Sequence, residues 1–92
     1  MKKDSSRYKN LIAECRRHWN RFDPIGILHE GDDLDDEYDF YLPQTAKLLI
    51  EGADAYKIAG YVSQIVRVTI GFRDFPEHRI VEFAKQLRQI DF

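Results

Sequence analysis

Between Asp23 and Asp39 the chain carries eight acids (Asp23, Glu30, Asp32, Asp33, Asp35, Asp36, Glu37 and Asp39) and neither Lys nor Arg. Carboxylates at this density suggest two chemistries: coordination of a hard divalent cation, or attraction of a cationic macromolecule. Spacing argues against the first. An EF-hand loop needs acids at its positions 1, 3 and 5, Gly at 6 and Glu at 12. Starting at Asp33 puts Tyr38 where Gly belongs and Gln44 where Glu belongs; starting at Asp35 puts Phe40 and Ala46 there. Both registers fail.

The remaining reactive side chains form no recognisable constellation. His18, His29 and His78 have no zinc spacing with one another or with Cys15, and the chain contains neither H-E-x-x-H nor paired C-x-x-C. Metal-free ribonuclease chemistry could use His18 with Arg16, Arg17 and Arg21 around it. A solvated histidine on a basic helix face accounts for the same residues more simply. There is no Gly-rich phosphate loop and no G-x-S-x-G elbow. The expectation is a protein without catalytic activity, cofactor or functional metal.

Charge is segregated along the chain. The first 22 residues hold seven bases (Lys2, Lys3, Arg7, Lys9, Arg16, Arg17, Arg21) against Asp4 and Glu14, so the net charge of -2 conceals two opposed neighbours. Direct nucleic-acid binding is disfavoured by the pI near 5.9 and by the bases being spread round a helix instead of gathered on one stripe. Those bases solubilise the helix, and some can pair with the acids of the same molecule. An acidic surface is better matched to a basic protein, since charge complementarity speeds encounter and rejects wrong partners. Tyr38 and Tyr41 lie beside the acids and combine large contact area with a polar tip, as interface residues do. Core packing competes with that role, more strongly for Tyr38. Asp23 and Asp39 can also act as caps holding the loop, the leading role for Asp23 beside Pro24.

These groups must be carried by a small framework. The 92 residues, 43% apolar and 33% charged, fit one folded, soluble domain, with twelve aromatics to enlarge a modest core. No apolar run approaches the ~20 residues of a membrane helix and the start of the chain turns polar, so a cytoplasmic location is expected. Cys15 is the lone cysteine; its helical phase predicts a buried, inert thiol.

Apolar periodicity predicts four helices. Tyr8, Leu11, Ile12, Cys15 and Trp19 form one face of the first, capped by Ser5 or Ser6 and ended by Asp23-Pro24. A long acidic loop with Gly26 and Gly31 comes next. Helicity is expected to resume around Asp36 to Tyr38, break near Pro43 and close at Glu51 with Gly52 as the stop; the alternative is a separate turn with Pro43 opening a new helix. Leu42, Ala46 and Leu49 make its buried stripe. Asp54 caps the third helix, whose inner face is Ile58, Tyr61, Val62, Ile65 and Thr69. Val66, Val68 and Ile70 make strand a competitor in its second half. Pro76 opens the fourth, with Ile80, Phe83, Ala84, Leu87 and Ile90 inward. The architecture expected is an all-α, compact four-helix domain spanning residues 1–92, with a long acidic loop between helices one and two.

The run Trp19-Asn20-Arg21-Phe22-Asp23-Pro24-Ile25-Gly26, followed by Asp36-Glu37-Tyr38-Asp39 and Tyr41-Leu42-Pro43, resembles a group of short, all-helical bacterial proteins with W-x-x-x-D-P-I-G and D-E-Y-D segments. The likeness covers about residues 8 to 66. Proteins of this kind are similar to immunity proteins that neutralise toxins of contact-dependent growth inhibition and related competition systems. The resemblance implies that Glu30, Asp32, Asp33, Asp35, Asp36, Glu37 and Asp39 face the Lys or Arg residues of a nuclease toxin, with Tyr38 or Tyr41 supplying the binding energy. A regulatory or adaptor module docking on another basic protein is the second expectation.

Overall fold

The structure, a computed structural model, describes residues 2–24 and 38–92, with side chains from residue 6 onward. Its elements are α1 (Lys2–Phe22), a 3₁₀ turn (Asp39–Tyr41), α2 (Leu42–Ile50), α3 (Ala55–Ser63) running on as a π-helical segment (Gln64–Thr69), and α4 (Glu77–Arg88). This is the expected compact all-α domain of four helices. None of the described helices is long and apolar enough to cross a membrane.

Helix α1 begins at Lys2, upstream of Ser5 and Ser6, so neither serine caps it. Its buried face is Leu11, Cys15, Trp19 and Phe22, with Ile12 half-buried and Tyr8 exposed beyond the packed region. Asp23 ends it. The Asp23 amide still donates to the Trp19 carbonyl (2.8 Å), but the residue itself has φ 42°, a left-handed conformation that aspartate tolerates better than most L-residues. Pro24 comes directly after, enforcing the exit from right-handed helix.

On the return, the break falls earlier than the favoured expectation. Tyr38 is in a turn, and α2 starts at Leu42 with Pro43 already in its first turn, where the missing amide costs no hydrogen bond. Pro43 thus lies in the first turn of a new helix, close to the alternative, although that helix opens at Leu42; Asp36 and Glu37 lie outside the described residues. Helix α2 closes in a Schellman motif: the Gly52 amide donates to the Leu49 carbonyl (3.1 Å), the Ala53 amide to that of Leu48 (3.0 Å), and Gly52 has φ 79°. Asp54 then caps α3, its carboxylate accepting from the Lys57 amide at 2.8 Å.

The β-branched stretch after Ser63 adopts neither strand nor regular α-helix. From Gln64 to Thr69 the backbone widens to a π-helix, in which the Ile70 amide donates to the Ile65 carbonyl at 2.8 Å. Each π turn takes up an extra residue and rotates the downstream side chains about the helix axis. Ile65 and Val66 are buried, continuing the stripe of Ile58 and Val62, while Thr69, expected on the inner face, is exposed. Arg67 braces this end: its guanidinium donates to the Phe75 carbonyl (2.9 Å), pairs with Glu77 (2.9 Å) and reaches Ser63 Oγ at 3.3 Å.

The core is centred on Trp19, which is fully buried and touches four rings: Phe22 at 5.9 Å, Tyr38 at 5.7 Å, Tyr41 at 5.4 Å and Phe83 at 5.0 Å between centroids. A polar chain runs beside it. Trp19 Nε1 donates to Thr45 Oγ1 (3.1 Å), the Thr45 hydroxyl donates to the Tyr41 carbonyl (2.7 Å), and the Tyr61 hydroxyl donates to that same carbonyl (3.0 Å). One indole thus ties α1 to α2 and, through Tyr41, to α3, with each of these polar atoms paired as burial demands. Helix α4 packs on the other side. Phe83 stacks on Phe22 at 4.1 Å, and Arg79 lies over Phe22 and Phe75 while donating to the Phe22 carbonyl (3.2 Å), one of the acceptors left without an intrahelical partner at the end of α1.

Candidate partner-binding surface

The two ends of the segment between α1 and the 3₁₀ turn are fastened to each other and to α1. Tyr38, 1% exposed, stacks on Trp19 and donates its hydroxyl to Asp23 Oδ1 at 2.5 Å. Arg16, one helical turn before Asn20, sends a fork to Asp39: Nε to Oδ1 at 2.9 Å and Nη2 to Oδ2 at 2.8 Å. A guanidinium bound through two parallel contacts fixes direction as well as distance. Trp19 and Asp23 of the first sequence segment and Tyr38 of the second therefore meet in one place, and with the Arg16–Asp39 pair they form a clasp.

This assigns roles to the described members of the expected contact set. Tyr38 is a core residue: at 1% exposure it has no area to offer a partner, and the hydroxyl that would reach outward is engaged by Asp23. Asp39 is ion-paired with Arg16 of its own molecule, the two side chains remaining 34% and 41% exposed. Tyr41 is half-buried, with its ring against Trp19 and its carbonyl doubly occupied. Glu30, Asp32, Asp33, Asp35, Asp36 and Glu37 lie outside the described residues.

An unanticipated residue takes the exposed place. Phe40 is 88% exposed between Asp39 and Tyr41, its ring edge-on to Tyr41 at 5.8 Å. The signal was present in the spacing. Tyr38, Tyr41, Leu42 and Thr45 sit at i, i+3, i+4, i+7, and Phe40 is off that face.

His18 is less solvated than a basic surface predicts. Its Nδ1 is buried, and burial foremost, then Arg21 and Arg17, lowers its pKa below the usual 6.5, with Glu14 opposing. It lines a cleft with Glu14, Arg21, Gln86 and Asp91. Arg17 pairs with Glu14 at 2.9 Å. Cys15 is buried, and desolvation with a smaller contribution from Glu14 pushes its thiol up to about 12. A thiol so placed is a packing residue at neutral pH. Among the described residues no group of three or more His, Cys, Asp or Glu is placed to hold a metal ion.

Comparison with protein-family models, curated proteins and solved structures finds no match to this chain.

Proposed function

We propose that the protein is a non-enzymatic binding partner of a basic protein, acting as an immunity protein that occupies and neutralises a cognate toxin domain, with a nuclease as the fitting toxin class. The observation that carries this reading is the sequence from Glu30 to Glu37, in which six of eight residues are acids and none is Lys or Arg. A nuclease must present positive charge to phosphate, so an acidic surface can block it by complementarity alone, without chemistry of its own. Support also comes from the clasp: the Tyr38–Asp23 and Arg16–Asp39 contacts fasten the ends of the acidic stretch to one framework, which lowers the ordering cost that binding would otherwise incur.

The gene environment supplies the test. An immunity protein is expected beside a gene for a toxin, and the tagged chain should co-purify with that toxin domain when the two are expressed together. Unrelated neighbours, with recovery of an abundant host protein instead, would favour an adaptor.

A further inference from the structure

We infer that residues 89–92, which follow α4, form a strap over α1 that acid releases, with His18 as the group that senses the proton. The path of the chain places them together. Helix α4 runs antiparallel along α1: near its start His78 and Arg79 share a cleft with Arg21 and Phe22, and near its end Gln86 shares another, of about 500 Å³, with Glu14 and His18. Past the last turn of α4, Gln89, Ile90 and Asp91 complete the wall of that second cleft. Phe92 then closes on Tyr8, Leu11 and Ile50, one to two turns further toward the start of α1.

The strap is lightly held. Among the described residues its backbone hydrogen bonds are local, from the Gln89 amide to the Gln86 carbonyl (3.1 Å) and from the Ile90 amide to the Leu87 carbonyl (3.1 Å), and none crosses to α1. What fastens it is apolar contact: Ile90, half-buried against the core, and Phe92, still 41% exposed. A segment with few long-range bonds and little buried area opens at far lower free energy than the body it lies on. It can lift while the core around Trp19 stays closed.

His18 is the residue beneath it whose chemistry depends on that wall. Its Nδ1 is shut off from solvent and has no hydrogen-bond partner among the described residues. A neutral imidazole forgoes one bond there, whereas an imidazolium has two N–H donors and would point one of them at neither acceptor nor water, at greater cost. The neighbouring charges do not offset this. On α1, Arg17 and Arg21 repel a further cation, and Glu14, which favours one, is already paired with Arg17 at 2.9 Å. From α4 and the strap come Gln86 and Gln89, both uncharged, and Asp91, which makes no ion pair with His18. Burial is accordingly the first cause of the lowered His18 pKa. Since α1 is one continuous helix, the imidazole gains water when the lighter wall moves, and that wall is the strap. Closure is therefore fully favoured above the ordinary 6.5 and is weakened as pH falls through the lowered value. Lifting uncovers the groove of Tyr8, Leu11 and Ile50, an apolar face that the strap covers at neutral pH.

Fluorine NMR of the full chain carrying Phe92→4-fluorophenylalanine reads the strap, and the Trp19 Nε1–H resonance, bonded to Thr45, reads the body. Between about pH 7.5 and about pH 5 the lifted population, measured by saturation transfer, is expected to rise by up to about tenfold per pH unit while the indole resonance holds its position. His18→Gln should remove that rise, and His78→Gln should not. Reciprocally, Ile90→Ala loosens the strap and should move the midpoint of the His18 ring resonances up toward 6.5. A lifted population that stays constant across the range, a rise that survives in His18→Gln, or an unmoved His18 midpoint in Ile90→Ala overturns the switch. Loss of the indole resonance in the same step overturns it too, because the whole domain would then be unfolding. Should a variant fail to fold, the otherwise unaltered chain decides: the His18 ring and the fluorine population must share one midpoint, and two separate midpoints overturn the coupling.

Discussion

The hydroxyl of Tyr38 and the carboxylate of Asp23 make a short contact, and its consequences differ from those of the Arg16–Asp39 pair close by. Tyr38 is buried, and its acceptor is charged, a combination for which a lost hydrogen bond costs about 1.5–3 kcal/mol. Tyr38→Phe should therefore lower unfolding free energy by that amount in urea titrations, with the ring still stacked on Trp19. Asp39→Asn should cost less, ~1 kcal/mol or under, because the side chains of Arg16 and Asp39 are 41% and 34% exposed and solvent screens much of the attraction. Equal losses in the two variants would show that burial does not set their ranking. At this scale the sequence was only half readable. Asp23 beside Pro24 announces a helix end, whereas the partners of Asp23 and Asp39 lie 15 and 23 residues away and are chosen by packing around Trp19.

Three helix boundaries were legible because caps and stops are local chemistry, whereas the starts of α1 and α2 were not. Asp54 at the start of α3, Gly52 after α2 and Pro76 before α4 occupy the positions their backbone preferences dictate. Gly52→Ala tests one of them directly: space around the missing Cβ is open, so the cost is the left-handed φ of 79° alone. A loss of about 1 kcal/mol is expected by thermal or urea unfolding, and a neutral result would mean the Schellman turn does not hold the α2–α3 corner. The π segment was not legible in the same way. Val66, Val68 and Ile70 signal only discomfort in an α-helix, and nothing in their spacing specifies the extra residue per turn that the π segment takes up from Gln64 to Thr69. That rotation is why Thr69 faces out although its spacing from Ile58 and Ile65 fits an inner face.

For the molecule as a whole, Trp19 joins α1 to α2 and α4 directly and to α3 through Tyr41, and the radius of gyration is 13.0 Å, close to the ~12 Å of a compact chain of this length. Periodicity alone was enough to predict this class of fold; the hub was not predictable, since no single helix face shows that an indole of α1, a threonine of α2 and a tyrosine of α3 share one polar chain. Global stability should respond to acid through His18. Its pKa is lowered in the folded state, so the contribution is complete above the ordinary 6.5 and is lost as pH falls through the depressed value. A urea midpoint that declines as pH drops below 6.5, with a shallower decline in His18→Gln, would bear this out; identical pH profiles would not. The remaining property of the whole molecule is its charge segregation, and with it the claim that the acids recruit a cationic protein. Stopped-flow association with the toxin domain proposed as its partner, across a range of salt, measures this most directly. Replacing Asp32, Asp33, Asp35 and Asp36 together by Asn should slow association by about tenfold at low salt and flatten its salt dependence. An association rate and salt slope equal to those of the unaltered chain would contradict the account.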